Sequence, residues 1–252
     1  MYLNETIKLD IAAQNWQLGF QEAASPIMEA IINFHNYVMS FIVLIVFIVV
    51  YFLAFICSDF SSSKRLISHK FLVHGSLVET IWTIIPAFIL IFIAFPSFKL
   101  IYLMDEVMEP NITLKVIGHQ WYWSYEYSDY SVDCSLPTIE IDSYMIPTSD
   151  LEASGLRLLE TDNHIVIPAF FNVRVIITSA DVIHSWAVPA LGIKLDAVPG
   201  RLNQTSFMAS RFGLFYGQCS EICGANHAFM PIVVESVKLD SYYSFINANQ
   251  NA

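Results

Sequence analysis

The 252-residue sequence has little charge, few cysteines and no recognisable targeting segment. Only 14% of the residues are charged and 55% are hydrophobic, which is unusually apolar for a soluble protein. Four cysteines (Cys57, Cys134, Cys219 and Cys223) are too few for a disulfide framework at this length. No basic start leads into an apolar run with a cleavage site, and no Arg-rich amphipathic segment is present, so we expect the N-terminus to be retained. The composition favours a membrane-embedded protein.

The charge that is present lies mostly in the C-terminal part. The net charge is −11, and from Met104 onward seven basic residues face seventeen acidic ones, which leaves −10 in that part. An acidic surface argues against nucleic acid and favours a basic partner, which it could attract over a distance. Improved solubility is the alternative interpretation.

Two long apolar runs precede the acidic part. The first covers Val38 to Cys57 without a charge, and the second covers Thr80 to Met104 with Lys99 as its single charge. A bilayer core requires about 20 apolar helical residues. Transmembrane helices tolerate prolines such as Pro86 and Pro96 better than soluble helices do. We predict two transmembrane helices; buried helices of a soluble core are the alternative.

The charges beside the two runs predict the topology. The connecting loop contains Lys64, Arg65 and Lys70, whereas the N-terminal flank has only Lys8 against four acidic residues. The positive-inside rule then puts the loop on the inner side and both termini on the outer side. The predicted organisation is an outer-side segment at 1–30, a transmembrane hairpin at 31–104 (helices at about 34–58 and 79–104) and a water-exposed domain at 105–252.

The water-exposed part has the pattern of an all-β domain. Short β-branched runs occur at 112–117, 173–178 and 232–239, separated by regular Pro and Gly turn signals. Such spacing is typical of a sandwich or barrel. Asp240 is predicted to cap a short C-terminal helix.

Five potential metal-binding side chains occur in this domain: His184, Cys219, Cys223, His227 and Met230. Thiolate, imidazole and thioether together favour copper, and a mononuclear blue-copper site needs two His, one Cys and a weak axial Met. The second cysteine exceeds that requirement. We therefore predict two coppers bridged by both sulfurs, each with one imidazole, in an electron-transfer site.

Zinc and a disulfide are the alternatives at this motif. A structural Cys₂His₂ zinc site has the same thiolate and imidazole count. Against zinc, Met230 has no role there, the Cys-x₃-Cys-x₃-His spacing differs from zinc fingers, and His184 lies 35 residues upstream of Cys219. A Cys219–Cys223 disulfide would leave no metal site.

An aromatic cluster, Trp121 to Tyr127, follows the first predicted strand. Alternation along a strand would send half of its rings into the core. The other rings could form a surface belt, or the row could provide a route for electrons between a partner and the metal. The sequence does not separate these interpretations.

Motifs along nearly the whole chain resemble subunit II of the haem–copper cytochrome c oxidases. They are WQLGFQ at 16–21, VETIWTIIP at 78–86, GHQWYWSYEY at 118–127, DSYMIP at 142–147, LRLLE at 156–160, DVIHSWAVP at 181–189, PGRLNQT at 199–205 and YGQCSEICGANH at 216–227. The resemblance implies a two-helix transmembrane hairpin followed by an all-β, cupredoxin-like Greek-key barrel that carries the dinuclear copper centre CuA.

The resemblance also implies a ligand set. Cys219 and Cys223 would bridge the two coppers. His184 and Met230 would bind one copper, while His227 and the backbone carbonyl of Glu221 would bind the other. The Glu221 side chain would bind a magnesium ion shared with subunit I.

Further roles follow from the same resemblance. Electrons from cytochrome c would enter at Trp121, and the docking face for that basic protein would include Trp121, Tyr122, Asp162 and Asp181. Arg157 would lie towards subunit I and its haem propionates. Glu79 would lie near the mouth of a proton pathway in subunit I.

The resulting prediction is a redox subunit of a proton-pumping oxidase, with partners subunit I, the other oxidase subunits, cytochrome c and membrane lipid, and no nucleic acid. Oxygen reduction would take place in subunit I. We expect the mitochondrial inner membrane, with the copper domain in the intermembrane space; a bacterial plasma membrane with a periplasmic domain is the alternative. A copper-free quinol oxidase subunit II and a stand-alone copper electron carrier are the alternative functions.

One segment departs from animal members of the family. Residues 131–142 are longer than expected and add Cys134 and three acidic residues beside the aromatic cluster. The extra residues would alter docking or form a tolerated surface loop, and we favour the second interpretation.

Overall fold

The computed structural model describes residues 12–60, 71, 73–106, 109–129, 138–153 and 155–250. The basic loop residues Lys64, Arg65 and Lys70, together with Lys8 and Cys134, lie outside these residues. The chain forms two compact units, one of Met1–Ala30 with Leu103–Ala252 and the other of Ile31–Tyr102.

Two long helices cover the apolar runs. Helix α1 spans Pro26–Asp59 and helix α2 spans Ser76–Asp105, and both are long and apolar enough to cross a membrane. Their most apolar windows bury none of their residues within the protein, so hydrocarbon is the environment that suits these side chains. Pro86 and Pro96 lie inside α2 without ending it.

Helix α1 begins eight residues before the predicted position 34. Ser25 caps it, since its hydroxyl accepts the Met28 N–H at 3.0 Å and donates to the Leu191 carbonyl at 2.7 Å. Pro26 occupies the first helical position, where a missing N–H costs nothing. Polar residues such as Glu29 and Asn33 interrupt the apolar run over the first turns of α1, so hydrophobicity alone placed its start too late. The Ser25-Pro26 pair is the local pattern that marks the observed start.

The β unit contains ten described strands and a C-terminal helix. The strands are β1 Ile112–His119, β2 Tyr122–Tyr127, β3 Ile139–Ser143, β4 Ile165–Pro168, β5 Asn172–Ser179, β6 His184–Val188, β7 Ile193–Ala197, β8 Asn203–Met208, β9 Gly213–Gln218 and β10 Pro231–Val237. Helix α3 spans Leu239–Gln250, so Asp240 lies within its first turn rather than before it. A carboxylate there still favours the helix dipole.

The strands form three sheets. The five-stranded sheet has the order β3-β2-β1-β5-β8, with β1 parallel to β5 and the other pairs antiparallel. The three-stranded sheet is β4-β10-β9, and β6 pairs with β7. Among the described residues these sheets do not close into one barrel. The predicted β fold is confirmed, in this sheet arrangement.

Alternating side chains build the core. In β2 and β5 every second residue is buried, which places Trp123, Tyr125 and Tyr127 inside. They pack in one cluster with Trp186 and Phe215. Strands β6 and β9 approach closely, because a Cβ added at Gly217 would lie 2.0 Å from the Ala187 carbonyl oxygen. This approach brings the start of β6 beside the loop that follows β9.

Candidate metal centre

Strand ends position the five predicted ligands. His184 is the first residue of β6 and is fully buried. Cys219 directly follows β9, and Met230 directly precedes β10. The loop between them is closed by hydrogen bonds from Cys219 N to Met230 O (3.3 Å) and from Ser220 N to Ser185 O (3.0 Å). The ligand loop therefore begins at the end of β9, ends at the start of β10, and is hydrogen-bonded to β6.

The donor atoms lie at metal-binding separations. The Cys219 and Cys223 Sγ atoms are 4.0 Å apart, and the His184 Nδ1 lies 3.9 Å from Cys219 Sγ. Cys223 Sγ lies 3.5 Å from His227 Nδ1 and 3.5 Å from Met230 Sδ. Donors bound at about 2.0–2.3 Å to one tetrahedral ion are roughly 3.5 Å apart. The five side chains therefore form one cluster.

The protein alone stabilises one thiolate rather than two. Burial would raise the pKa of Cys219, but hydrogen bonds from His184 and from the neighbouring backbone lower it to about 7. Burial and the charge of Cys219 raise the pKa of Cys223 to about 12. A cation between the sulfurs supplies the charge that a second thiolate needs, so metal binding at neutral pH releases a proton.

Asp181 is hydrogen-bonded to the His184 ring on the side away from the cysteines. The Nε2–H of His184 donates to Asp181 Oδ1 at 2.8 Å, which leaves Nδ1 facing the cysteines. There it can donate to a thiolate or, without its proton, bind a metal. Burial would raise the pKa of Asp181, but hydrogen bonds from His184, Val182 and Gln120 outweigh it and lower the pKa. Burial would lower the pKa of His184, but Cys219 and Asp181 raise it.

Three side chains of the β1–β2 region hold the carbonyls of the ligand loop. Gln120 Nε2 and Trp121 Nε1 both donate to Cys223 O, at 2.8 and 3.3 Å. Trp123 Nε1 donates to Met230 O at 3.3 Å, and its ring meets the His184 ring edge-on at 5.8 Å between centroids. Sequence reasoning missed Gln120 and Trp123 as site residues, although both stand in the GHQWYW motif.

Glu221 stands at the edge of the cluster. Its backbone carbonyl lies 3.3 Å from Cys219 Sγ, within reach of the metal site. Its side chain is exposed. The backbone carbonyl of Glu221 therefore faces the cysteine sulfurs, whereas its side chain lies at the surface.

The remaining predicted residues lie outside the cluster. Tyr122 stacks between His119 and Tyr144, at centroid distances of 4.6 and 4.5 Å. The exposed Asp162 carboxylate accepts the Tyr144 N–H at 2.7 Å. Arg157 lies exposed in a turn. Glu79 belongs to the helical unit, where its Oε1 accepts the Gly75 N–H at 2.8 Å.

The donor chemistry fits copper better than the alternatives. Cys219 and Cys223 are free thiols, which argues against a disulfide. A buried thioether beside two thiols and two imidazoles is the soft mixed set that copper prefers, and zinc has no use for the thioether. Fold and site together define a membrane-anchored β domain of the cupredoxin-like type, with a copper centre.

Comparison with known proteins identifies the family. The family model "Cytochrome C oxidase subunit II, periplasmic domain" matches residues 112–237, and the model of the corresponding transmembrane domain matches residues 13–100. The chain belongs to the cytochrome c oxidase subunit II family. It is therefore a membrane protein and a subunit of an oxidoreductase complex that contains other oxidase subunits.

Individual relatives agree over most of the chain. Cytochrome c oxidase subunit 2 of Metridium senile is 58% identical over 231 residues, covering 92% of this chain and 89% of the relative. The protein of Arabidopsis thaliana is 56% identical over 237 residues, covering 94% and 90%. The solved periplasmic domain of subunit II of cytochrome oxidase from Bradyrhizobium japonicum is 44% identical with a TM-score of 0.52, covering 58% of this chain and 98% of that one. The predicted family, fold class and function as an oxidase redox subunit are confirmed.

Proposed function

We propose that this chain receives electrons from cytochrome c at a dinuclear copper centre and delivers them to subunit I of the oxidase. One observation carries the proposal. Two buried cysteine sulfurs 4.0 Å apart are flanked by two imidazoles and a thioether, and a single copper would need only one of the thiolates.

The proposed ligand assignment is the one that the family resemblance implies. Cys219 and Cys223 would bridge two coppers. His184 and Met230 would bind one copper, and His227 with the Glu221 carbonyl would bind the other. Cys219 Sγ lies beside both the His184 ring and the Glu221 carbonyl, which supports its role as a bridge.

A magnesium ion is the second proposed cofactor. Its ligand from this chain would be the Glu221 carboxylate, because magnesium prefers oxygen donors and is often held by only one or two carboxylates. The exposed side chain leaves this carboxylate available to subunit I. One residue would then link the copper loop to the neighbouring subunit.

The copper centre, when bound, supplies a one-electron couple between cytochrome c and the haem of subunit I. The protein around it keeps the ligands fixed, so that little rearrangement accompanies the change of charge. Buried His184, Cys219, Cys223 and Met230 exclude water from the donors. Trp121, hydrogen-bonded to Cys223 O, is the proposed point at which electrons enter.

The docking face for cytochrome c is proposed around Trp121, Tyr122, Asp162 and Asp181. Exposed carboxylates beside an aromatic surface attract a basic protein and orient it. The excess of ten negative charges from Met104 onward supports this choice of partner.

The membrane arrangement is likewise proposed. The chain would have an outer-side segment at 1–30, a lipid-embedded hairpin at 31–104 and the copper domain at 105–252, in the inner mitochondrial membrane with both termini in the intermembrane space. The identity to relatives from an animal and a plant supports the mitochondrial choice. Arg157 would face subunit I near its haem propionates, and Glu79 would lie near a proton-pathway mouth.

Metal analysis of the purified oxidase tests the proposal. We expect two coppers assigned to this subunit and a near-infrared absorption band, both lost in Cys219→Ser. Cys57→Ser is the matched control, since Cys57 is exposed in α1 and should leave the metals unchanged. One zinc and no copper at this site would contradict the proposal.

A further inference from the structure

Asp181 was predicted as a docking charge, but its carboxylate is directed into the metal centre. Its Oδ1 accepts hydrogen bonds from His184 Nε2 at 2.8 Å and from Val182 N at 2.6 Å. Its Oδ2 accepts the Gln120 N–H at 2.6 Å. The Ser179 hydroxyl lies 3.4 Å from Oδ1. Both oxygens are therefore occupied by donors of the protein itself.

The donors come from both sides of the site. His184 opens β6, whereas Gln120 lies between β1 and β2 and uses its own side chain to hold the Cys223 carbonyl at 2.8 Å. Asp181 thus connects a histidine ligand to the segment that grips a cysteine ligand. The side chain of Asp181 is only one-third exposed (33%), while that of His184 is fully buried.

We propose that Asp181 is a positioning residue for the copper centre, which fixes the ring of His184 and raises its strength as a ligand. The inference rests on the proposed ligation of copper by His184 and goes beyond docking. A carboxylate bonded to the far nitrogen of a ligating imidazole fixes its tautomer and orientation and increases its basicity. Its negative charge also stabilises the oxidised, more positive metal.

The substitution Asp181→Asn removes the negative charge of the side chain and keeps its size. An asparagine Oδ1 still accepts from His184 and Val182, but the Nδ2 group then faces the Gln120 N–H, donor against donor. We expect the reduction potential of the copper centre to rise and the copper affinity to fall by about 10- to 100-fold, the usual loss for such outer partners.

Asp162→Asn is the matched control. It removes an equal charge from the proposed docking face, and the hydrogen bonds of Asp162 go to the backbone of Tyr144 and Asn163 among the described residues. We expect it to weaken cytochrome c binding while the potential and the copper electron-spin resonance spectrum stay as in the wild type. A purely electrostatic docking role for Asp181 predicts the same result for both variants.

The measurements use the intact oxidase, with redox titration of the near-infrared band and copper analysis. The copper content of the wild-type oxidase is measured first. If this subunit holds no copper, the proposed function itself is refuted; if it holds copper, the Asp181 variants test the inference separately. An unchanged potential and copper content in Asp181→Asn would overturn the inference. If that variant does not accumulate, Asp181→Glu decides, since it keeps the charge but moves the carboxylate: a shifted potential supports positioning, and wild-type values contradict it.

Discussion

The indole of Trp121 donates its N–H to the backbone carbonyl of Cys223, with 3.3 Å between nitrogen and oxygen. The next residue, Gly224, has a φ of +124°, and a Cβ there would lie 3.1 Å from the indole Cζ2. The chain can turn this close to the ring because the residue has no side chain. The proposed point of electron entrance is therefore bonded directly to a residue that carries a proposed copper ligand.

Replacing Trp121 should slow electron transfer without removing copper. We expect Trp121→Ala to reduce the rate of cytochrome c oxidation by orders of magnitude, because both the ring and its contact with Cys223 are lost. Stopped-flow oxidation of reduced cytochrome c measures this rate. Trp121→Phe keeps a ring but not the N–H donor, and should be intermediate. Near-normal rates in Trp121→Ala would contradict the assignment.

Replacing Met230 should change the potential more than the fold. Met230 is 1% exposed and its Sδ lies 3.5 Å from Cys223 Sγ. Leucine fills a similar volume, so Met230→Leu should cost less than about 1.5 kcal/mol of unfolding free energy. Loss of the thioether disfavours the oxidised metal, and we expect a higher potential in redox titration with copper retained. An unchanged potential and optical spectrum would exclude Met230 as a ligand.

Turnover with cytochrome c should depend strongly on salt. The Debye length falls from about 30 Å at 0.01 M to about 8 Å at 0.15 M, which screens long-range attraction. We expect the second-order rate constant to fall several-fold over this range, and Asp162→Asn to lower it mainly at low salt. Asp240→Asn, in the first turn of α3, is the control for overall charge. A flat salt response in the wild type would exclude electrostatic docking.

The close approach of β6 and β9 should make Gly217 intolerant of any side chain. A Cβ there would lie 2.0 Å from the Ala187 carbonyl oxygen, and this atom belongs to the backbone. We expect Gly217→Ala to destabilise the β unit by about 3 kcal/mol, the upper part of the overpacking range. Thermal unfolding or the yield of assembled oxidase measures the loss. Gly19→Ala meets nothing within 4 Å and should be neutral; similar losses in both would contradict the argument.

Local patterns predicted the helices and the ligand loop. Apolar length alone indicated α1 and α2, and four ligands lie within twelve residues of one another, so their proximity needed no knowledge of the fold. Helix α1 begins eight residues before the predicted position, and the chain just before it is held to the β unit, where Ala24 N donates to Ala190 O at 2.8 Å. That contact spans more than 160 residues.

Long-range contacts were the part that local patterns could not supply. His184 was predicted as a ligand, but the approach of its Nδ1 to Cys219 Sγ at 3.9 Å joins residues 35 positions apart. The grip of Gln120 on Cys223 joins residues 103 positions apart. Such relationships follow from strand order and register, which the sequence pattern leaves open.

The stack of His119, Tyr122 and Tyr144 has a consequence for how strongly a partner would bind. Neighbouring rings at 4.5 and 4.6 Å already restrict the rotation of Tyr122. A protein that settles on this flat surface would freeze few additional rotamers, so little conformational entropy is lost on contact. The stack therefore lowers the entropic cost of docking, which would strengthen binding without any additional contact area.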